Sequence, residues 1–130
     1  MIFDGTLAES RHIMSSDEDQ PAVMDLNVGF TYRGQLAVTL DYFDYDRGGH
    51  LHSMSAIVAT DTARRMARRN GVAFDALPAF IADCMSEWGE VVNADFRCVT
   101  ACFKEITECL LDEGCRFRIA RTPGAGRHIG

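Results

Sequence analysis

Two short runs decide the fold: Met24-Asp25-Leu26-Asn27-Val28-Gly29-Phe30 and, five residues on, Leu36-Ala37-Val38-Thr39-Leu40. In both, even positions are apolar and odd positions are mostly polar or small, the period of a strand with one buried face. The turn between the runs fixes how they pair. A two-residue turn at Arg33-Gly34 would set Phe30 opposite Ala37 and send the two apolar rows to opposite sides of the sheet. A three-residue loop, Tyr32-Arg33-Gly34, sets Phe30 opposite Leu36, Val28 opposite Val38 and Leu26 opposite Leu40. It also gives Gly34 the left-handed position of a bulged hairpin loop, where glycine is favoured. The three-residue loop is therefore expected.

The same reasoning applied to Asp46-Arg47-Gly48 pairs Leu40 with Met54, Val38 with Ala56 and Leu36 with Val58. One face of the meander is then apolar throughout. The other carries Asp25, Asn27, Thr39, Asp41, Ser53 and Ser55 and is expected to look towards solvent or a partner. After Asp61 the apolar period becomes helical. A first helix, capped by Asp61 or Thr60, ends at Asn70-Gly71. A second begins after Asp75, takes Pro78 in its first turn, and runs to Trp88 with Leu77, Phe80, Ile81, Cys84, Met85 and Trp88 on its buried side. A third, capped by Asn93, ends at Gly114. Cys115, Phe117 and Ile119 then alternate with Arg116 and Arg118 as a strand on one edge of the meander, its arginines near Asp25 or Asp41.

The expected architecture is α+β: an antiparallel three-stranded meander plus a C-terminal strand, with three helices on one face, in the order β-β-β-α-α-α-β. Residues 1–22 read as an N-terminal arm or loop, in which Ile2 and Phe3 tuck against the body and residues 15–21 form an acidic loop. Residues 23–121 read as one domain, and 122–130 as a flexible Gly-rich tail.

The bulk properties narrow the classes. A chain of 130 residues with 47% hydrophobic and 25% charged residues suits one soluble domain with its own core. No apolar run reaches the ~20 residues of a membrane span, and Met1-Ile2-Phe3-Asp4 has no signal-peptide character. A cytoplasmic location is expected, and no membrane partner. A net charge of −6 argues against DNA or RNA as partners, because phosphate neutralisation needs a positive surface. The five cysteines include no CxxC pair, which fits free thiols in a reducing compartment. Cys98, Cys102 and Cys109 fall within about 40° on a helical wheel, beside Val99, Phe103, Ile106 and Leu110, and read as soft residues at a packed seam.

Two constellations stand out as candidate surfaces. The second hairpin holds Asp41, Phe43, Asp44, Tyr45, Asp46 and His50, with Asp44 facing His50 and Tyr42 facing His52 across the strands. Exposed aromatic and acidic side chains at a hairpin end suit a partner-binding tip. His50 and His52, with Asp44, are candidate metal ligands, although two histidines two apart on a strand are a common pattern and do not by themselves complete a site. The calcium-loop pattern fails, since counting from Asp44 places Gly48 at an oxygen-ligand position and Ser55 where glutamate belongs. The other constellation is Arg64, Arg65 and Arg68, which with Arg69 make one basic helix face suited to an anionic small molecule or an acidic surface. With Met66, Ala67, Gly71, Val72, Leu77 and Phe80, this segment resembles a helix-turn-helix in its apolar spacing. Its second helix offers Ala73, Phe74, Asp75, Pro78 and Ala79 where base-reading side chains are needed, so the spacing reads as a tight helical corner.

The chain contains no GxSxG, HExxH or Walker loop, so no catalytic residue and no cofactor are assigned. The expected function is a protein-binding module, an acidic inhibitor or immunity-type protein covering a basic site on its target. A homodimer through a sheet edge or the polar face is a further expectation. The alternatives are an anionic-ligand binder using the arginine helix and a metal-dependent enzyme at the hairpin end.

Overall fold

In the computed structural model, residues 7–16, 22–44, 50–90 and 95–122 are described. They form one antiparallel sheet of five strands in sequence order, β1 (Glu9–Ser15), β2 (Ala22–Phe30), β3 (Leu36–Asp44), β4 (His50–Val58) and β5 (Phe117–Thr122). Between β4 and β5 come α1 (Thr60–Arg69), a short 3-10 turn (Phe74–Ala76), α2 (Leu77–Cys84), α3 (Ser86–Gly89) and α4 (Phe96–Asp112). The protein is α+β, a meander closed by a C-terminal strand.

The register follows the three-residue loop. Phe30 pairs with Leu36, Val28 with Val38 and Leu26 with Leu40, and Gly34 takes a φ of 79°. Across β3 and β4, Leu40 pairs with Met54, Val38 with Ala56 and Asp44 with His50. A one-residue slip of β3 would turn Leu36, Val38 and Leu40 outward at about 1.5–3 kcal/mol each. That sum rivals a domain's net stability of about 5–15 kcal/mol. The even face of the sheet (Leu26, Val28, Leu36, Val38, Ala56, Val58) is buried together with Leu77, Val99, Cys102, Ile106 and Leu110 of the helices.

The sheet has one strand more than the sequence predicts. Residues 9–15, expected in an arm or loop, form β1 and pair with β2. The pairing carries a bulge between His12 and Met14. It adds Ile13 to the core beside Met14 and interrupts the two-residue period that would have announced a strand. The N-terminal residues Ile2 and Phe3, the acidic residues 17–21, the expected cap Asn93, the second hairpin loop and the tail from 123 lie outside the described residues.

Helix boundaries differ where caps compete. α1 begins at Thr60 with Ala59 as its cap, so Asp61 sits in the first turn, where a carboxylate favours the helix dipole. There it holds the Arg116 guanidinium at 3.0 Å. This ion pair, together with β5 pairing to β4, corrects the placement of the C-terminal arginines beside Asp25 or Asp41. The long second helix breaks at Met85, whose φ and ψ of −103° and 15° end α2 and precede α3. α4 is capped by Asp95, whose Oδ1 accepts from the Cys98 backbone N–H at 3.0 Å. That bond, more than the nearby Arg97 charge, holds the Asp95 carboxyl below its ordinary range.

Strand β1 crosses β2 closely at Gly29, where an added Cβ would lie 1.7 Å from the Glu9 carbonyl oxygen. The obstruction is backbone, so only displacement of β1 can relieve it. Gly29→Ala is predicted to cost about 1–3 kcal/mol and to remove hydrogen-exchange protection from Ser10 to Met14 first. An unchanged melting temperature would contradict this packing.

Candidate functional site

Odd positions of β2, β3 and β4 share the face away from the core cluster. Register alone sets Asp25 opposite Asp41, and Asp41 opposite Ser53. Beside them Asn27 faces Thr39, and Thr39 faces Ser55. The polar row is tied together by side chains. The Ser53 hydroxyl donates to the Asp41 carboxylate, and the hydroxyls of Thr39 and Ser55 lie 2.9 Å apart. Asp25 accepts from Ser15 Oγ at 2.6 Å and from Asn27 Nδ2 at 3.1 Å.

β1 contributes the end of the row. Because of the bulge, His12 pairs with Asn27 and Ser15 with Asp25, which brings two side chains three residues apart onto one face. His12 Nε2 lies 2.8 Å from Asp25 Oδ1 and 2.6 Å from Ser15 Oγ. The residue types are those of a hydrolase triad, but the geometry is not. One histidine nitrogen, Nε2, approaches both partners, whereas a triad sets the carboxylate on the ring nitrogen remote from the serine. The three atoms make a closed polar triangle. Sequence reading missed His12 and Ser15 because the bulge hides them from any fixed period; the alternation of Ser10 and His12 is the only trace.

The face is only half open. Thr39 and Ser55 are each 1% exposed, and Ala37 and Ile57 are buried outside the main core cluster. This corrects the expectation that the whole polar face meets solvent: its centre is buried, and there the hydroxyls of Thr39 and Ser55 satisfy each other. The accessible part lies towards the second hairpin, where Val23, Asp25, Asn27, Asp41 and Phe43 are half-buried.

Two carboxylates directly opposite on adjacent strands repel each other. Burial, and then the charge of Asp25, push the Asp41 carboxyl above its ordinary value of 3.8, against the lowering effect of the Ser53 hydroxyl. Among the described residues no arginine or lysine pairs with either aspartate.

Alternation splits the hairpin constellation between two faces. Asp41 and Phe43 share the face of Asp25, whereas Tyr42 and His52 stack on the other, ring centroids 5.1 Å apart. Asp44 and His50 are strand partners, and Tyr45 and Asp46 lie outside the described residues. No group of three histidine, cysteine, aspartate or glutamate side chains able to hold a metal occurs among the described residues. On α1, the Arg64 guanidinium lies 4.6 Å from the Phe74 ring centroid, and Arg69 donates to the Glu113 carbonyl at 3.0 Å. Arg65 and Arg68 are exposed. All five cysteines are free, and burial pushes the Cys102 thiol up to about 12.

No protein-family model, curated protein or solved structure matches the chain. No helix among the described residues is long and apolar enough to cross a membrane.

The raised Asp41 carboxyl has a sign that can be measured. Above pH 3.8 the folded state holds this proton more tightly than the unfolded chain does, so the group's contribution to stability falls as pH rises through its folded pKa. Asp41→Asn, which keeps an acceptor for Ser53, is therefore predicted to be at least as stable as the parent at pH 7. Its advantage should shrink as the pH is lowered towards 4. Lower stability of the variant at pH 7 would show that the ionised carboxylate supports the fold.

Proposed function

We propose that this chain is a protein-binding module whose half-open sheet end receives a basic segment of its partner, in the manner of an acidic inhibitor or immunity-type protein. The observation that carries this reading is the facing pair Asp25 and Asp41, two carboxylates that no arginine or lysine among the described residues pairs with, His12 approaching Asp25 alone. A guanidinium laid between them would relieve their repulsion and donate charge-assisted, two-pronged hydrogen bonds to the carboxylates. Val23 and Phe43 share that face and offer apolar area beside the charge, the mixture typical of an interface anchor. A net charge of −6 would speed encounter with a basic surface.

The other readings draw less support. Arg64 and Arg69 are already engaged with Phe74 and the end of α4, which leaves Arg65 and Arg68 for an anionic ligand. The His52 ring is stacked on Tyr42, which does not favour a metal-dependent enzyme at the hairpin.

The test is a nitrogen-15 NMR titration of the full chain with an arginine-rich peptide at low and moderate salt. Saturable shifts are expected at Asp25, Asn27, Asp41, Phe43 and Ser53, weakening with salt and lost in the folded double variant Asp25→Asn/Asp41→Asn. Shifts confined to the helices, or binding that survives the double substitution, would overturn the assignment.

A further inference from the structure

On the opposite side of the molecule, α1, α2 and α4 leave a cavity of about 360 Å³ between them. Its floor is apolar, formed by Met66, Ile81, Ile106 and Leu110, all buried. Cys84 and Cys109 stand at its mouth, exposed and unbridged. The volume sits at the small end of the range for ligand pockets, about 300–1,000 Å³, and is large enough for a bicyclic ring.

Apart from Arg69, which meets Glu113, the charges nearest the mouth are acidic. Helical spacing puts Glu105, Glu108 and Asp112 along the α4 flank that carries Cys109, and the Cys109 thiol reaches Glu105 Oε2 at 4.0 Å. Burial raises the Cys109 pKa, and Glu105, Asp112 and Glu108 each raise it further, so the thiol there is neutral and the field around it negative. Glu113, also on the lining, is already matched by Arg69 at 3.8 Å and by Asn70 Nδ2 at 3.3 Å. Among the described residues no arginine or lysine pairs with Glu105, Glu108 or Asp112.

We infer that this cavity binds a small aromatic molecule carrying a cationic amine, its ring on Ile81, Ile106 and Leu110 and its ammonium at the Asp112 side of the mouth. Apolar burial holds the ring, and the unmatched carboxylates select the charge. An anionic ligand of the same shape meets repulsion at the entrance. This site is separate from the sheet face, and neither reading depends on the other.

Three probes of one ring system and different charge test it: tryptamine, indole and indole-3-acetate, each titrated into the nitrogen-15-labelled full chain. The expected affinity order is tryptamine over indole over indole-3-acetate, with saturating shifts at Met66, Ile81 and Leu110. Cys109→Phe, at an exposed position, should fill the mouth and abolish binding while the spectrum stays folded. Asp112→Asn should keep indole binding and narrow the tryptamine preference severalfold. Four outcomes would each overturn the inference: no saturable shifts at millimolar probe, equal binding of indole-3-acetate, undiminished binding in Cys109→Phe, or shifts centred on Asp25 and Asp41.

Discussion

The pairing of Phe30 with Leu36 across a three-residue loop is the constraint on which the rest of the molecule depends. It commits every even position of β2 and β3 to one side, and the second hairpin extends that commitment to β4. Helices can then bury Leu26, Val28, Val38 and Ala56 in a single layer. The odd positions receive whatever the alternation leaves, which here is a row of carboxylates, hydroxyls and an amide.

That row carries a tension. Asp25 and Asp41 are forced to face each other by the register that serves the core, and moving either would cost apolar burial. The local responses are hydrogen bonds from Ser15, Asn27 and Ser53, together with the approach of His12. Neutral donors spread the negative charge without cancelling it. A site that the fold makes acidic, and that no arginine or lysine among the described residues pairs with, is well placed to bind an external cation. The helical side has a comparable surplus along α4, at the mouth of an apolar cavity, so the two faces of the protein present negative charge in different company.

Much of this was legible in the residues, for physical reasons that also explain the exceptions. Two-residue alternation with a glycine at the right loop position determined the register, and Pro78 and Gly114 marked helix ends because their backbone requirements are local. β1 was hidden by its bulge: Ile13 and Met14 both turn inward, so no fixed period runs through residues 9–15. Asp61 resembled a cap in sequence, yet its carboxylate is drawn to Arg116, a partner 55 residues away. The hairpin constellation mixed residues that alternation sends to opposite faces, so Asp41 and Phe43 belong with Asp25, while Tyr42 and His52 belong with each other. His12 and Ser15 join the acidic row only after β1 has been paired, a fact of tertiary structure.

The central claim is that one register produces both the buried even face and the acidic odd face. The most direct measurement is a nuclear Overhauser spectrum of the β2, β3 and β4 backbone. The account predicts cross-strand contacts that place Asp25 directly opposite Asp41, and Asp41 directly opposite Ser53. Contacts placing Asp25 opposite Leu40 or Tyr42 would put the sheet one residue out of register and contradict it.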